Sequence, residues 1–200
     1  MGCSYYASIP SCHLFYQIIM NKFFSSALVS ALATVSLTAS SAHAQNSFED
    51  HERLYQTLQD VGVTVAINSK LHCGGKNDGV YYPGIGLLVI CQDNMVSHGK
   101  QENWTANDLD TLRHEAHHVV QDCAAESLGD GLLSTLFPED KLIEFLKNSS
   151  VSFEGLQELY AMLDGQGLSD LVIQQEMEAY VVAEDVPASS IEEKVREFCF

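Results

Sequence analysis

Positive charge is scarce in this sequence, which has 10 lysine and arginine residues against 27 aspartate and glutamate residues. The resulting net charge of −17 argues against nucleic acid or an anionic membrane as a partner, because both would repel the chain. Low-complexity segments and internal repeats are lacking as well. The composition is that of an ordinary globular domain, and its acidity weakly favours cationic substrates.

A long, uninterrupted apolar run is also missing. The apolar segment Phe23–Leu37 is too short and too rich in serine and threonine to span a bilayer comfortably. It follows the weakly basic Met20-Asn21-Lys22 and precedes Ala42-His43-Ala44, which has the A-x-A form of a cleavage site. These features predict a secretory signal peptide that is removed, so that no stable membrane anchor is left.

The predicted leader sets the expected domain limits. We expect residues 1–44 to comprise an upstream extension and the signal peptide, with Met20 as the true start. The remaining segment, residues 45–200, has a length that suits one compact domain. We therefore expect a secreted or periplasmic protein.

Closely spaced C-x-x-C pairs are absent, although four cysteines follow the predicted cleavage site: Cys73, Cys91, Cys123 and Cys199. An even number of cysteines in an exported domain predicts two disulfides, for which three pairings are possible. Cys73 and Cys91 flank a segment that resembles a small β-meander, which favours Cys73–Cys91 together with Cys123–Cys199. The alternative is a structural zinc site, which the spacing does not support.

The sequence His114-Glu115-Ala116-His117-His118 matches H-E-x-x-H and lies within 105–126, a segment with helical periodicity. Residues four apart share one face of a helix, so His114 and His118 can bind one metal ion together. Glu115 stands one position further round the helix, where its carboxylate can reach a water molecule in the open coordination position. The pattern therefore predicts two zinc ligands and a general base.

The remaining periodicities predict an α+β domain in which short strands lie between two helices and the C-terminal half is helical. Thr105 and Asp108 resemble a capping box that begins the motif helix. The other predicted elements are a helix at 48–61, strands at 63–67, 80–82 and 86–91, and helices that begin near Pro138, Ser152, Ser169 and Ser189.

A third ligand is expected from the later helical segment Gln175–Tyr180, which contains Glu176 and Glu178. H-E-x-x-H followed by such a glutamate helix resembles the gluzincin metallopeptidases, whereas Gln121 and Ala124 occupy positions where the metzincin pattern requires glycine and histidine. The resemblance implies a zincin-like fold with a small antiparallel or mixed sheet packed on the active-site helix.

The same resemblance implies Zn²⁺ bound by His114, His118 and Glu176, with Glu178 as the fallback ligand. Tyr180 replaces an aspartate that orients a ligating histidine in those relatives, which leaves the support of that histidine unexplained. The implied activity is zinc-dependent endopeptidase action on peptide or protein substrates, with Glu115 as the general base.

Two features of the implied mechanism stay open at this stage. Tyr180, His117 and Tyr160 are each candidates to stabilise the oxyanion. In zincins an edge strand before the motif helix holds the substrate, and 86–91 occupies that place in the chain order. Two other functions are compatible with the sequence: a catalytically inactive zinc-binding secreted protein, and a disulfide-stapled interaction domain.

The remaining polar residues near the motif have ordinary expected roles. His117 is expected to be a partly exposed helix residue. Asp122 is expected either to orient His118 or to lie on a solvated face. His51, His72 and His98 are expected to be surface or loop residues.

Overall fold

The computed structural model describes residues 47–75, 77–125 and 128–200. The predicted leader at 1–44 lies outside the described residues. Within them, six helices and one three-stranded mixed sheet form a mostly helical α+β fold, which confirms the expected class. The elements in chain order are α1 (Phe48–Asp60), β1 (Thr64–Ile67), β2 (Gly79–Tyr82), β3 (Leu87–Ile90), α2 (Ala106–Ala125), α3 (Glu139–Asn148), α4 (Phe153–Gly165), α5 (Asp170–Asp185) and α6 (Ala188–Cys199).

Local hydrogen bonding explains where the helices begin. At α2 the backbone N–H of Asp108 donates to Thr105 Oγ1 (3.1 Å), and that of Thr105 donates to Asp108 Oδ2 (2.8 Å), so the predicted capping box is confirmed. Ser152 and Ser169 accept from backbone N–H groups at the starts of α4 and α5, as their positions predict. Among the described residues, no helix combines the length and apolar character needed to cross a membrane.

The strand order is β1-β3-β2, with β3 parallel to β1 and antiparallel to β2. The prediction that 86–91 is an edge strand is therefore wrong, because β3 pairs on both sides. Its residues Leu88, Val89 and Ile90 are completely buried, as is typical of an apolar strand in the middle of a sheet. The edge strand beside α2 is β2.

Two hydrophobic cores meet along the motif helix and α5. The main core joins α1, the sheet, α2 and α6; its buried members are Leu54, Leu58, Val63, Tyr81, Leu88, Ile90, Leu112, Ala116, Val119, Val120, Cys123, Val182, Ala188, Ile191 and Val195. The second core joins α3, α4 and α5; its buried members are Leu142, Ile143, Leu146, Leu156, Tyr160, Leu163, Ile173, Met177 and Val181. Helix α5 contributes to both, so the position of its polar face depends on the packing of both cores.

Two disulfides close the fold, Cys73–Cys91 and Cys123–Cys199, and the favoured pairing is confirmed. The first connects the segment before β2 to the end of β3. The second connects the last turn of α2 to the last residue of α6. Both are expected of a domain that folds in an oxidising compartment.

The motif helix approaches β2 most closely at Gly79. A Cβ atom at this position would lie 2.5 Å from Thr111 Cγ2 and 3.0 Å from Glu115 Oε1. Glycine is required here because of this close approach. The contact places the carboxylate of Glu115 directly against the edge strand.

Candidate metal centre

Helices α2 and α5 bring the side chains of His114, His118 and Glu176 together. The two histidine Nε2 atoms are 3.1 Å apart, and the Glu176 oxygens lie 3.4 Å from His114 Nε2 and 3.5 Å from His118 Nε2. Ligands of a tetrahedral zinc ion, with bonds of about 2.0–2.1 Å, stand ~3.3 Å apart. The three residues therefore form a group whose spacing fits a metal ion.

The group opens into solvent on one side. The side chain of His118 is 6% exposed, whereas those of His114 and Glu176 are 22% and 32% exposed. The buried face fixes the ligand geometry, and the exposed face leaves room for a further ligand. Such a combination distinguishes an open metal site from a closed, purely structural one.

The members of the group interact strongly through their charges. Burial alone would raise the pKa of Glu176, but hydrogen bonds with His114 and His118 hold it well below its usual range. Burial alone would lower the pKa of His118, but the carboxylates of Glu176 and Glu115 raise it to about 9. An ionised carboxylate is thus held beside a histidine that binds a proton tightly, and a metal ion at this position would take the place of that proton.

Glu115 is buried between α2 and β2 and lines the same cleft as the three ligand candidates. The backbone N–H of Tyr81, on β2, donates a hydrogen bond to its carboxylate. Burial raises the pKa of Glu115, and the neighbouring His114 and His118 oppose that shift. A carboxyl group with a raised pKa is suited to accept and return a proton near neutral pH.

The cleft has a volume of about 640 Å³ and differs in character between its two ends. Asp110 and Glu184 line one end, toward the start of α2, whereas Leu133 and Met162 contribute apolar surface elsewhere in the cleft. No lysine or arginine of the described segments contributes to the lining. The lining residues are Asn77, Asp78, Gly79, Val80, Tyr81, Asn107, Asp110, Thr111, His114, Glu115, His118, Leu133, Met162, Glu176, Tyr180, Ala183 and Glu184.

Glu178, the fallback ligand, is not part of the metal-binding group. It is completely buried and accepts hydrogen bonds from the backbone N–H groups of Leu136 and Phe137. Its Oε1 atom lies 2.7 Å from Nε2 of His117. The expectation that His117 is partly exposed is wrong, because this side chain is only 4% exposed and faces Glu178.

The three oxyanion candidates have different surroundings. Tyr180 lines the cleft. Tyr160 is buried in the second core, and His117 is bonded to Glu178 beneath the loop that follows α2. Of these three, Tyr180 alone is placed to meet a ligand in the cleft. Burial and the nearby carboxylates of Glu184 and Asp110 raise its pKa, so its hydroxyl is held protonated.

Both expected roles of Asp122 are wrong. Asp122 is buried and accepts from the Tyr81 hydroxyl (2.6 Å) and from the backbone N–H of Gly129 (2.9 Å). It therefore braces α2 against the edge strand and the following loop.

The expectation for His51 is wrong as well, whereas His98 is exposed as expected. His51 is buried between the carbonyl of Ser47 (2.9 Å) and Arg113 Nη1 (2.8 Å). His72 is half-buried and contacts the hydroxyl of Tyr82. Periodicity did not reveal the burial of His51, because Arg113, one of its two polar partners, is 62 residues away in the chain.

Sequence reasoning missed Gln121, which the structure places in direct contact with a ligand candidate. Its Oε1 atom lies 2.8 Å from Nδ1 of His118. The signal was present, since Gln121 follows His118 by three residues and therefore shares its helix face. In the sequence analysis Gln121 enters only because the metzincin pattern requires glycine at its position.

Comparison with known proteins identifies one family. The family model described as "Domain of unknown function (DUF8637)" matches residues 40–200. No curated protein and no solved structure matches the chain significantly.

Proposed function

We propose a hydrolytic function for this chain, which belongs to the DUF8637 family, a family defined by a domain of unknown function. The chain is a zinc-dependent endopeptidase with a zincin-like active site. One observation carries the proposal. The ligand atoms of His114, His118 and Glu176 converge in an open cleft, and the buried carboxylate of Glu115 lines the same cleft.

The donor set favours zinc. His114 Nε2, His118 Nε2 and one Glu176 oxygen would hold it, and two imidazoles with one carboxylate are a ligand set of catalytic zinc. When bound, zinc lowers the pKa of water and polarises a substrate carbonyl. Every other task in the reaction belongs to side chains of this protein.

Glu115 is the general base and then the general acid. Its carboxylate accepts the proton of the attacking water and passes it to the leaving amine. Its contact with β2 keeps it beside the position where a bound peptide would lie. The Tyr180 hydroxyl, which stays protonated in this setting, supplies a neutral donor for the developing oxyanion.

The free edge of β2 is the surface for the substrate backbone. Cys91 N–H donates to the carbonyl of Asp78 (2.7 Å), so Asp78 turns its backbone toward β3. Backbone groups alternate along an antiparallel strand, and the next residue, Gly79, therefore turns its N–H and C=O toward the free edge, as does Tyr81. Glu115 takes the Tyr81 N–H, which leaves the remaining groups for an extended peptide to pair with.

The acidic end of the cleft favours basic substrates. Asp78, Asp110, Glu184 and the ring of Tyr180 line it, and Glu184 and Asp110 both act electrostatically on Tyr180. Carboxylates beside an aromatic face are a suitable environment for a lysine or arginine side chain. The substrates are therefore peptides or unstructured proteins with a basic residue near the scissile bond.

Substitution of the base tests the proposal. Glu115→Gln should keep zinc bound, because it removes no ligand, but should lower kcat on an unstructured protein by about 100-fold or more. Zinc content and hydrolysis are measured on the same preparations, with His98→Gln as an exposed histidine control.

Each outcome of this experiment identifies one function. Zinc binding without hydrolysis by the wild type would instead favour an inactive metal-binding protein. Absence of zinc from the wild type would favour a disulfide-stapled interaction domain.

A further inference from the structure

We propose that Gln121 positions the ligand His118, and that the buried Glu178 holds the Gln121 amide in the orientation that this requires. The inference rests on the metal site of the proposed function but not on peptidase activity.

The first step is the orientation of the Gln121 side chain, which is completely buried. Its Nε2 atom lies 3.2 Å from the backbone carbonyl oxygen of Gln175 and 3.2 Å from Oε1 of Glu178. A carbonyl and a carboxylate can only accept hydrogen bonds, so the NH₂ group must face them. The amide oxygen is then left facing His118 Nδ1, at 2.8 Å.

The second step is the tautomer of His118. A neutral imidazole carries one N–H, and the Gln121 oxygen can only accept. The proton of a neutral His118 must therefore be on Nδ1, which leaves the lone pair on Nε2. That atom faces His114 and Glu176, where a metal ligand is needed. Rotation of the amide by 180° would place the NH₂ group against Nδ1 and move the proton to Nε2, where it would block the metal.

The third step is the fixation of Glu178, which prevents that rotation. Both of its oxygens accept from the backbone N–H of Leu136 (3.0 and 3.1 Å), and Oε2 also lies 3.4 Å from the backbone nitrogen of Phe137. His117 Nε2 lies 2.7 Å from Oε1 of Glu178. Every partner of Glu178 can act as a donor, so the carboxylate acts as an acceptor throughout. The loop after α2 thus determines, through Glu178 and Gln121, which nitrogen His118 presents.

If the role of Gln121 were purely structural, its substitution would leave the His118 tautomer unchanged. Gln175 offers a matched control. Its side chain is also buried and donates to the carbonyl of Leu133 (2.6 Å) in the same loop, but it does not touch His118. Gln175→Met removes a buried amide near the site without altering the acceptor for Nδ1. Gln121→Met removes that acceptor.

The experiment reads the ¹⁵N shifts of the His118 ring in the zinc-free, full-length chain at a pH of about 10, where histidine side chains are neutral. The wild type and Gln175→Met should carry the proton on Nδ1, whereas Gln121→Met should shift it toward Nε2. In a separate zinc titration at neutral pH, Gln121→Met should raise the zinc dissociation constant by about 10–100-fold. Gln175→Met should raise it by less than about threefold.

The wild-type measurement keeps the test valid if Gln121→Met does not fold, because it needs no variant: the amide orientation requires the proton of neutral His118 to be on Nδ1. A proton on Nε2 in the wild type, or the same tautomer in the wild type and Gln121→Met, would overturn the inference. Because the ring shifts are read without zinc, they are independent of whether the chain is a peptidase.

Discussion

At the scale of single residues, adjacent side chains of the motif helix have different partners. Successive residues of an α-helix are rotated by about 100°, so His117 and His118 point in different directions although they are neighbours. His118 turns toward the cleft and Glu176, whereas His117 turns toward Glu178 beneath the loop. Two such rotations, about 200°, separate Glu176 from Glu178 on α5. His118 but not His117, and Glu176 but not Glu178, is therefore available to a metal.

Alanine substitutions should separate the ligands from their neighbours. His114→Ala, His118→Ala and Glu176→Ala should each raise the zinc dissociation constant by about 100-fold or more, because each removes a donor atom. Competition with a chromogenic chelator measures this, and His98→Ala is the exposed control. Release of zinc by Glu178→Ala without release by Glu176→Ala would show that the ligand assignment is wrong.

At the scale of elements, the cleft is built from equivalent faces of two helices. Asp110, His114 and His118 recur every four residues on α2, and Glu176, Tyr180 and Glu184 recur in the same way on α5. Arg113 secures the two helices through its Nε donor, 2.7 Å from the carbonyl of Ala183. Asp110 thus lies about 6 Å of helical rise from His114, and Glu184 about 12 Å from Glu176, along the two helices that carry the candidate metal ligands.

This arrangement predicts a preference for basic substrates, which removal of a single carboxylate should weaken. Glu184→Gln and Asp78→Asn should each lower kcat/KM about threefold for a peptide with lysine near the scissile bond, since rim ion pairs contribute about 0.2–1 kcal/mol. The matched peptide with glutamine in place of lysine should be unaffected. The measurement compares the two peptides at low and high salt, because salt screens exposed charges.

The control for this prediction is Glu193→Gln, which removes an exposed charge from α6 outside the cleft lining. This substitution should leave unchanged the ratio of kcat/KM for the lysine peptide to kcat/KM for the glutamine peptide. An equal loss of activity on both peptides in Glu184→Gln would contradict a cation-binding role for this end of the cleft.

At the scale of the whole molecule, the candidate site lies where the two hydrophobic cores meet. His114 and His118 are carried by α2, which is packed in the main core, whereas Glu176 is carried by α5 beside Ile173 and Met177 of the second core. The spacing of the three ligand atoms therefore depends on how the two cores pack together. Cys123–Cys199 reinforces the main core, because it connects the C-terminal helix to the end of α2.

The two disulfides should contribute unequally to stability. In the chain-entropy model the Cys123–Cys199 link, with a separation of 76, is worth about 4.5 kcal/mol, and Cys73–Cys91, with a separation of 18, about 3 kcal/mol. The paired alanine variants should lower the free energy of unfolding in that order. Denaturant unfolding of the zinc-free protein measures the difference, and a larger loss for Cys73→Ala/Cys91→Ala would contradict it.

Features that depend on near neighbours in the chain could be predicted from the amino-acid sequence. The Thr105–Asp108 capping box and the alternation of helices and strands are local. The shared face of His114 and His118 follows from helical geometry alone. The disulfide pairing was also predictable, because an even cysteine count leaves few possibilities and two cysteines flank one short segment.

The pairing of polar groups and the identity of the edge strand could not be predicted, because both depend on how the elements pack together. The partners of His51, His117 and Asp122 come from other elements, and Gln121 acquires its role only when Glu178 approaches from α5. Periodicity reports that a residue faces inward or outward, but it carries no information about what another element places opposite. Strand order has the same limitation, because an apolar run indicates burial but does not identify its pairing partners. The physical reason is that these contacts form between segments far apart in the chain, and the packing of the two cores brings those segments together.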